Sequence, residues 1–334
     1  MRRKLVLICI VAQVLVLAVM AAEREFILNA GERIHLRTAP IDPRDPFRGD
    51  FVRLRYEISR VSRRQLQGTL GEDEKQKGDL VYAVLEEGAE NLYNLDYLTD
   101  EPPADGVFLR GRVRHRWRPA HNRSAVSVKY GIEKLFVEQG RGKDIERHRG
   151  TRSGLQIPME VEIAVGSDGT AVIRGFRWSR LGMSLKMLRV HRRNRNENLD
   201  DVTEPLSPKL EISLQNVSGA PLTLADTSEH CGFHLRTTTR VSREYRSAYA
   251  GCPGVGSSGG HPIELAPGEA YTVQLDLSEP RWHVSVDGET GEIGRYANND
   301  SFRIVYVAPI AGSAAAAWRG ELPSSAFTAY RILD

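Results

Sequence analysis

At 334 residues, with 41% hydrophobic and 27% charged residues, the chain has the composition of a folded protein with room for two domains, which excludes a disordered polymer and a membrane protein of many spans. The formal charge of +3 hides an asymmetry: residues 1–208 carry 36 Lys and Arg against 29 Asp and Glu, while 209–334 carry 10 against 14. The part nearer the N-terminus is therefore basic and the distal part acidic.

Arg2, Arg3 and Lys4 precede an apolar run, residues 5–22, interrupted by Gln13. As a helix this run rises about 27 Å, barely the thickness of a bilayer's hydrocarbon core. The basic flank places the N-terminus inside and exports everything beyond residue 24. Val19-Met20-Ala21 and Met20-Ala21-Ala22 also satisfy a small-residue cleavage site, so a signal peptide shares these ingredients. The run is longer than a typical signal core, which favours an uncleaved single-pass anchor over residues 1–23 in the cell membrane, and export leaves nucleic acid out of reach as a partner. Cys9, inside the run, reads as a packing residue.

Glu32–Arg37 alternates, with Ile34 and Leu36 on one side, and predicts the first exported strand. Pro40, Pro43 and Pro46 then stiffen an extended arm up to Gly49 and Asp50. After the turn, Val52, Leu54, Tyr56 and Ile58 alternate with Arg53, Arg55 and Glu57, the pattern of a half-buried strand. A rigid arm holds its polar side chains ready at low ordering cost, so Asp42, Arg44, Asp45, Arg48 and Asp50 are candidates for partner binding.

Gly49-Asp50-Phe51-Val52-Arg53-Leu54-Arg55-Tyr56 resembles the signature of the GDYXXLXY family of bacterial membrane-anchored proteins, with Phe51 in place of the usual Tyr. The segment Lys129–Gly142, KYGIEKLFVEQGRG, is similar to a second block of that family. The resemblance covers the part before about residue 190 and implies an anchor followed by a β-rich domain; it brings no catalytic residue set, cofactor or metal.

Arg60–Lys77 is polar, glycine-broken and of mixed charge, which predicts a flexible loop or a short exposed helix. Asp79–Leu85 reads as a strand. In Leu109–Arg118, Arg110, Arg112, Arg114, Arg116 and Arg118 alternate strictly, with Val113, His115 and Trp117 opposite, so a strand here carries a wholly cationic face. It is expected to pair with Ala125–Tyr130 through the loop 119–124. Such a face suits a polyanion, whether lipid headgroups, an anionic envelope polymer or an acidic partner, and is equally the solvated side of an antiparallel sheet.

Within Gly131–Gly142, a short helix or irregular strand, Glu133 and Glu138 are the candidate site carboxylates. Paired acids can perform acid–base chemistry, and with His115 or His148 they define the enzyme alternative, an envelope hydrolase. The simpler reading pairs Glu133 with one of the strand arginines. Leu155–Val165 alternates strictly, Ser167-Asp168-Gly169 turns, and Ala171–Trp178 returns, the clearest hairpin in the sequence. The spacing of Gly49-Asp50 and Gly78-Asp79 is similar to that in signal-peptidase-type β-folds, but the arm lacks the serine such a dyad needs.

Residues 191–208 are charged and aperiodic, a linker after a first domain over 24–190. From Lys209 short strands recur: Leu210–Leu214, Leu222–Leu224, Phe233–Leu235, Ile263–Leu265, Tyr271–Leu277, Phe302–Tyr306 and Phe327–Ile332. Seven strands in 209–334 fit an immunoglobulin-like β-sandwich, and phrases such as Leu265-Ala-Pro-Gly-Glu269 resemble exported bacterial modules of that kind. Cys231 and Cys252, exported, are expected to form a disulfide rather than to join His230, His234 and His261 around a metal. Gly256-Ser257-Ser258-Gly259-Gly260 matches G-x-S-x-G but lacks the flanking strand and helix that hold a nucleophilic serine. The sequence thus predicts a mainly β, anchored envelope protein that binds, without a cofactor, as the accessory of a membrane protein.

Overall fold

The computed structural model describes residues 2–38, 51–118, 125–138, 141–149, 154–192, 202–238, 245–247, 260–286, 288–296, 300–308, 318 and 320–333. The protein is mainly β and forms two compact units, one from residues 1–122, 126–137 and 160–177, the other from 123–125, 138–159 and 178–334.

The first unit opens with α1 (Arg2–Ala30), in which an 18-residue apolar stretch within Val6–Ala30 has a mean hydropathy of 2.6 and no buried residues. By length and composition it can cross a membrane, and a signal sequence meets the same description. The helix continues past the apolar run into residues 23–30, where Ile27 is buried. Gly31 ends it by donating its N–H to the Ile27 carbonyl at 2.8 Å. A Cβ at Gly31 would lie 2.5 Å from that oxygen and 2.9 Å from the Val165 oxygen, so no other residue fits.

The strands of this unit are β1 (Glu32–Arg37), β2 (Phe51–Arg53), β3 (Arg60–Ser62), β4 (Leu80–Glu87), β5 (Tyr93–Thr99), β6 (Val107–Val113), β7 (Ala125–Lys129), β8 (Lys134–Phe136), β9 (Met159–Val165) and β10 (Ala171–Trp178). They make sheets in the orders β1-β9-β10, β2-β8 and β3-β7-β6-β4-β5. Register follows the alternation: Ile34 opposes Ile163 and Leu36 opposes Val161, all four fully or almost fully buried. At the β9–β10 turn Asp168 accepts the N–H and hydroxyl of Thr170, and Gly169 takes φ +78°, as the Asp-Gly pair predicts.

Residues 60–77 are not the loose loop their polarity suggests. Three 3-10 turns, Glu57–Ser59, Arg63–Gln65 and Gly68–Gly71, flank β3, and Leu70 is fully buried. The Trp117 indole donates to the Leu70 carbonyl at 3.0 Å, and Lys75 Nζ reaches Asp100 at 2.7 Å. Burial raises the Asp100 pKa, but the bonds from Lys75 and Thr69 outweigh it and hold the carboxyl at about 2. These tertiary bonds, not a hydrophobic period, order the segment.

The second unit contains α2 (Arg141–Arg149), a helix the sequence pattern did not predict, and β11 (Leu181–Arg189), β12 (Lys209–Asn216), β13 (Leu222–Asp226), β14 (Phe233–Thr237), β15 (Arg246–Ser247), β16 (His261–Leu265), β17 (Ala270–Asp276), β18 (Val284–Val286), β19 (Glu289–Gly291), β20 (Phe302–Val307), β21 (Glu321–Pro323), β22 (Phe327–Thr328) and β23 (Arg331–Ile332). Six of the seven strands expected from Lys209 onward are present, and the seventh, Phe327–Ile332, is instead a tight hairpin in which Phe327 opposes Ile332 and Thr328 opposes Arg331. In addition β11 pairs along its length with β12, and β12 with β17, so Met183, Leu214 and Tyr271 lie in one row. Arg189 closes that sheet with two bonds to Asp276, at 3.0 and 2.6 Å. One core gathers Leu181, Leu185, Ile212, Leu275, Phe302, Tyr306 and Phe327.

Candidate functional site

Two segments of the first unit, residues 51–58 and 129–136, are built into each other. Phe51, Val52 and Arg53 pair with Phe136, Leu135 and Lys134, and the Leu54 N–H continues the ladder to the Glu133 carbonyl at 2.9 Å. Two tyrosines then cross: the Tyr56 hydroxyl donates to the Ile132 carbonyl at 2.8 Å, and the Tyr130 hydroxyl donates to the Ile58 carbonyl at 2.8 Å. Both rings are buried, as is Leu54. Burial, then the nearby Glu133 charge, pushes both phenols well above the ordinary tyrosine range, so they stay protonated donors.

Glu133 closes the turn itself. One carboxylate oxygen accepts the Tyr130 N–H at 2.6 Å and the other the Gly131 N–H at 3.2 Å. The expected arginine partner is replaced by backbone amides, because Gly131 at φ +85° turns them toward the carboxylate.

The outward side chains of the same segments line a groove of about 960 Å³. Arg24 contributes from α1, Arg53, Arg55 and Arg60 from the first segment and its continuation, Lys129 and Lys134 from β7 and β8, and Arg114 from just past the end of β6. Glu133 is the single acidic one among the described residues of this lining. Among the described residues, Arg24, Arg53, Arg114, Lys129 and Lys134 make no ion pair. At the rim the Phe51 and Phe136 rings stand 6.2 Å apart, Lys134 Nζ lies 5.5 Å from the Phe51 ring, and Phe136 is 78% exposed.

The row of five arginines is distributed differently from a single cationic face. The strand ends at Val113, and beyond it His115 is exposed while Trp117 is buried. Arg110 pairs with Asp168 at 2.8 Å, Arg112 donates to the Gly78 carbonyl at 2.8 Å, and Arg116 and Arg118 share Glu74. The hydrogen bond from Arg116 holds the Glu74 carboxyl below its usual range. Arg114 alone of the five turns into the groove.

Of the other sequence candidates, Asp42, Arg44, Asp45, Arg48, Asp50 and Cys252 lie outside the described residues. Glu138, in the second unit, is exposed and 4.0 Å from Arg141. His148 lies against Trp178 with the rings tilted 46° and 4.6 Å apart, and His115 lines the groove. Cys231 is buried. His230 Nδ1 lies 2.7 Å from the buried Asp226, which also accepts the Tyr271 hydroxyl at 2.8 Å.

Both interlocked segments, with Leu54 and Tyr56, lie within the stretch that a family comparison matches. A family model described as GDYXXLXY protein matches residues 13–176. Through these residues, just under half of its length, the chain matches the GDYXXLXY family. The chain has no match among curated proteins or solved structures. The signature residues Leu54 and Tyr56 build the core, and the variable positions on either side of Leu54, Arg53 and Arg55, line the groove. Sequence reasoning found the residues of both segments but missed the groove. The one available signal was the excess of cations before residue 208.

Proposed function

We propose that this protein is a non-catalytic binding protein, held in the cell membrane by α1 with its bulk exported, and that it acts as the accessory of a membrane protein. The observation that carries the reading is the groove, with seven cationic side chains and one carboxylate among the described residues around it and Arg24 of the anchor helix in its wall. Such a surface attracts and orients an anionic ligand. Against the hydrolase alternative stands the use already made of Glu133, whose two oxygens are occupied by backbone amides. The second unit, on this reading, is an immunoglobulin-like sandwich in which buried Cys231 is bonded to Cys252; the link would contribute about 3 kcal/mol, and free thiols in peptide maps of the freshly isolated protein would refute it.

The test is crosslinking of the full-length protein in its own membranes. We expect the chain to resist carbonate extraction and to yield a discrete adduct with a membrane protein, lost in the Arg53→Glu, Lys134→Glu variant. Carbonate release would remove the anchor reading, and an adduct pattern indifferent to the groove charges would remove the groove from the function.

A further inference from the structure

The groove sits at a height that the sequence of α1 fixes. The apolar run, residues 5–22, covers about the thickness of the hydrocarbon core as helix. Arg24, two residues beyond its end, lines the groove. Ile27, one turn on, is buried and lies against Gly166 at the β9–β10 turn, and Arg174 donates to the Leu28 carbonyl. The helix is thus docked to the unit immediately after it leaves the apolar run. A groove whose wall includes Arg24 lies at the level of lipid headgroups.

Its chemistry fits that level. Arg53 and Arg114 offer forked donors suited to phosphate oxygens, and Lys129 and Lys134 offer point charges. Phe136, 78% exposed on the rim, and Phe26, 72% exposed on α1, are apolar rings left in water by the protein itself. Rings beside cations at a bilayer surface gain burial among the acyl chains while the cations meet phosphate. A soluble polyanion would use the charges and leave both rings exposed.

Resting on the reading of the groove as a binding surface, we propose that its occupant is the phosphate headgroup of anionic phospholipids in the leaflet that α1 leaves, and that this seats the first unit against the membrane.

The experiment is native mass spectrometry of the full-length protein in detergent, titrated with phosphatidylglycerol, with phosphatidylcholine and, separately, with polyglutamate. Phosphatidylglycerol should bind more tightly than phosphatidylcholine, and its affinity should fall as salt rises. A juxtamembrane cation contributes about a fivefold factor in affinity, so Arg53→Gln with Lys134→Gln should weaken phosphatidylglycerol binding roughly twenty-fivefold and leave phosphatidylcholine unchanged. Arg53→Lys with Lys134→Arg should keep the preference. Should the neutralised pair fail to fold, Arg114→Gln with Lys129→Gln asks the same question at exposed positions. Equal binding of the two lipids, or a phosphatidylglycerol preference that survives both neutralised pairs, overturns the proposal. Groove-dependent binding of polyglutamate without phosphatidylglycerol also overturns it, and in that case the broader reading of an anionic-ligand groove survives, whereas loss of the membrane-protein adduct with lipid binding intact would remove the accessory role alone.

Discussion

Val52, Leu54 and Tyr56 on one side, and Arg53 and Arg55 on the other, come from five consecutive residues and serve opposite ends. The first three are buried, and the tyrosine's one polar atom is spent on a backbone carbonyl. The two arginines line an open groove. A strand's alternation makes this division possible, because neighbouring side chains leave the backbone in opposite directions. Substitutions on the inner side should therefore be read in stability, and substitutions on the outer side in binding.

The strongest way to break that division is Leu54→Ala. Leu54 is 4% exposed, and its loss should cost about 3 kcal/mol through transfer and cavity terms. Denaturant unfolding should show the midpoint shift with an unchanged slope. A shift below about 0.5 kcal/mol would mean that the signature leucine is not a core residue.

Tyr56→Phe and Tyr130→Phe sharpen the comparison. Each removes a hydroxyl from a buried carbonyl, Ile132 or Ile58, and keeps the ring, so each should cost about 1–2 kcal/mol. Binding per folded molecule should be unchanged, measured at a temperature where both variants are folded. Binding that falls while the melting temperature holds would place the tyrosines in the site instead of under it.

The smallest effect is expected outside. Arg53→Gln with Lys134→Gln removes two groove charges that have no ion pair among the described residues, and thermal stability should change by less than about 0.5 kcal/mol. A stability loss comparable to that of the tyrosine variants would show that the groove wall braces the core and would erase the distinction between the two sides.

Much of this was legible along the chain. The alternation identifies β1 along its whole length and β9 within 155–165, where the strand starts at Met159, but in 51–58 only Phe51–Arg53 is strand and Glu57–Ser59 turns as 3-10; the Asp168-Gly169 pair identifies the hairpin, and the apolar run with its basic flank identifies the long apolar helix. The order within 60–77 was not legible, because Leu70 and Trp117 act there through partners distant in sequence. For β11, the period of Leu181, Met183, Leu185 and Met187 is visible in the sequence, but its partner β12 lies beyond a charged segment, and only pairing reveals which unit it joins.

By itself, then, the sequence determined what depends on near neighbours: the alternation that turns Leu54 and Tyr56 inward, the turn residues, and a membrane-length apolar helix. Tertiary structure alone decided what each inward polar atom bonds to, that Glu133 serves backbone amides instead of an arginine, and that four of the five arginines of residues 110–118 are engaged away from the groove while Arg114 joins it. The physical reason is that charge acts through space. Arg24, Arg53, Arg114, Lys129 and Lys134 are scattered over more than a hundred residues of chain, and no local pattern marks them until the sheets bring their side chains around one groove.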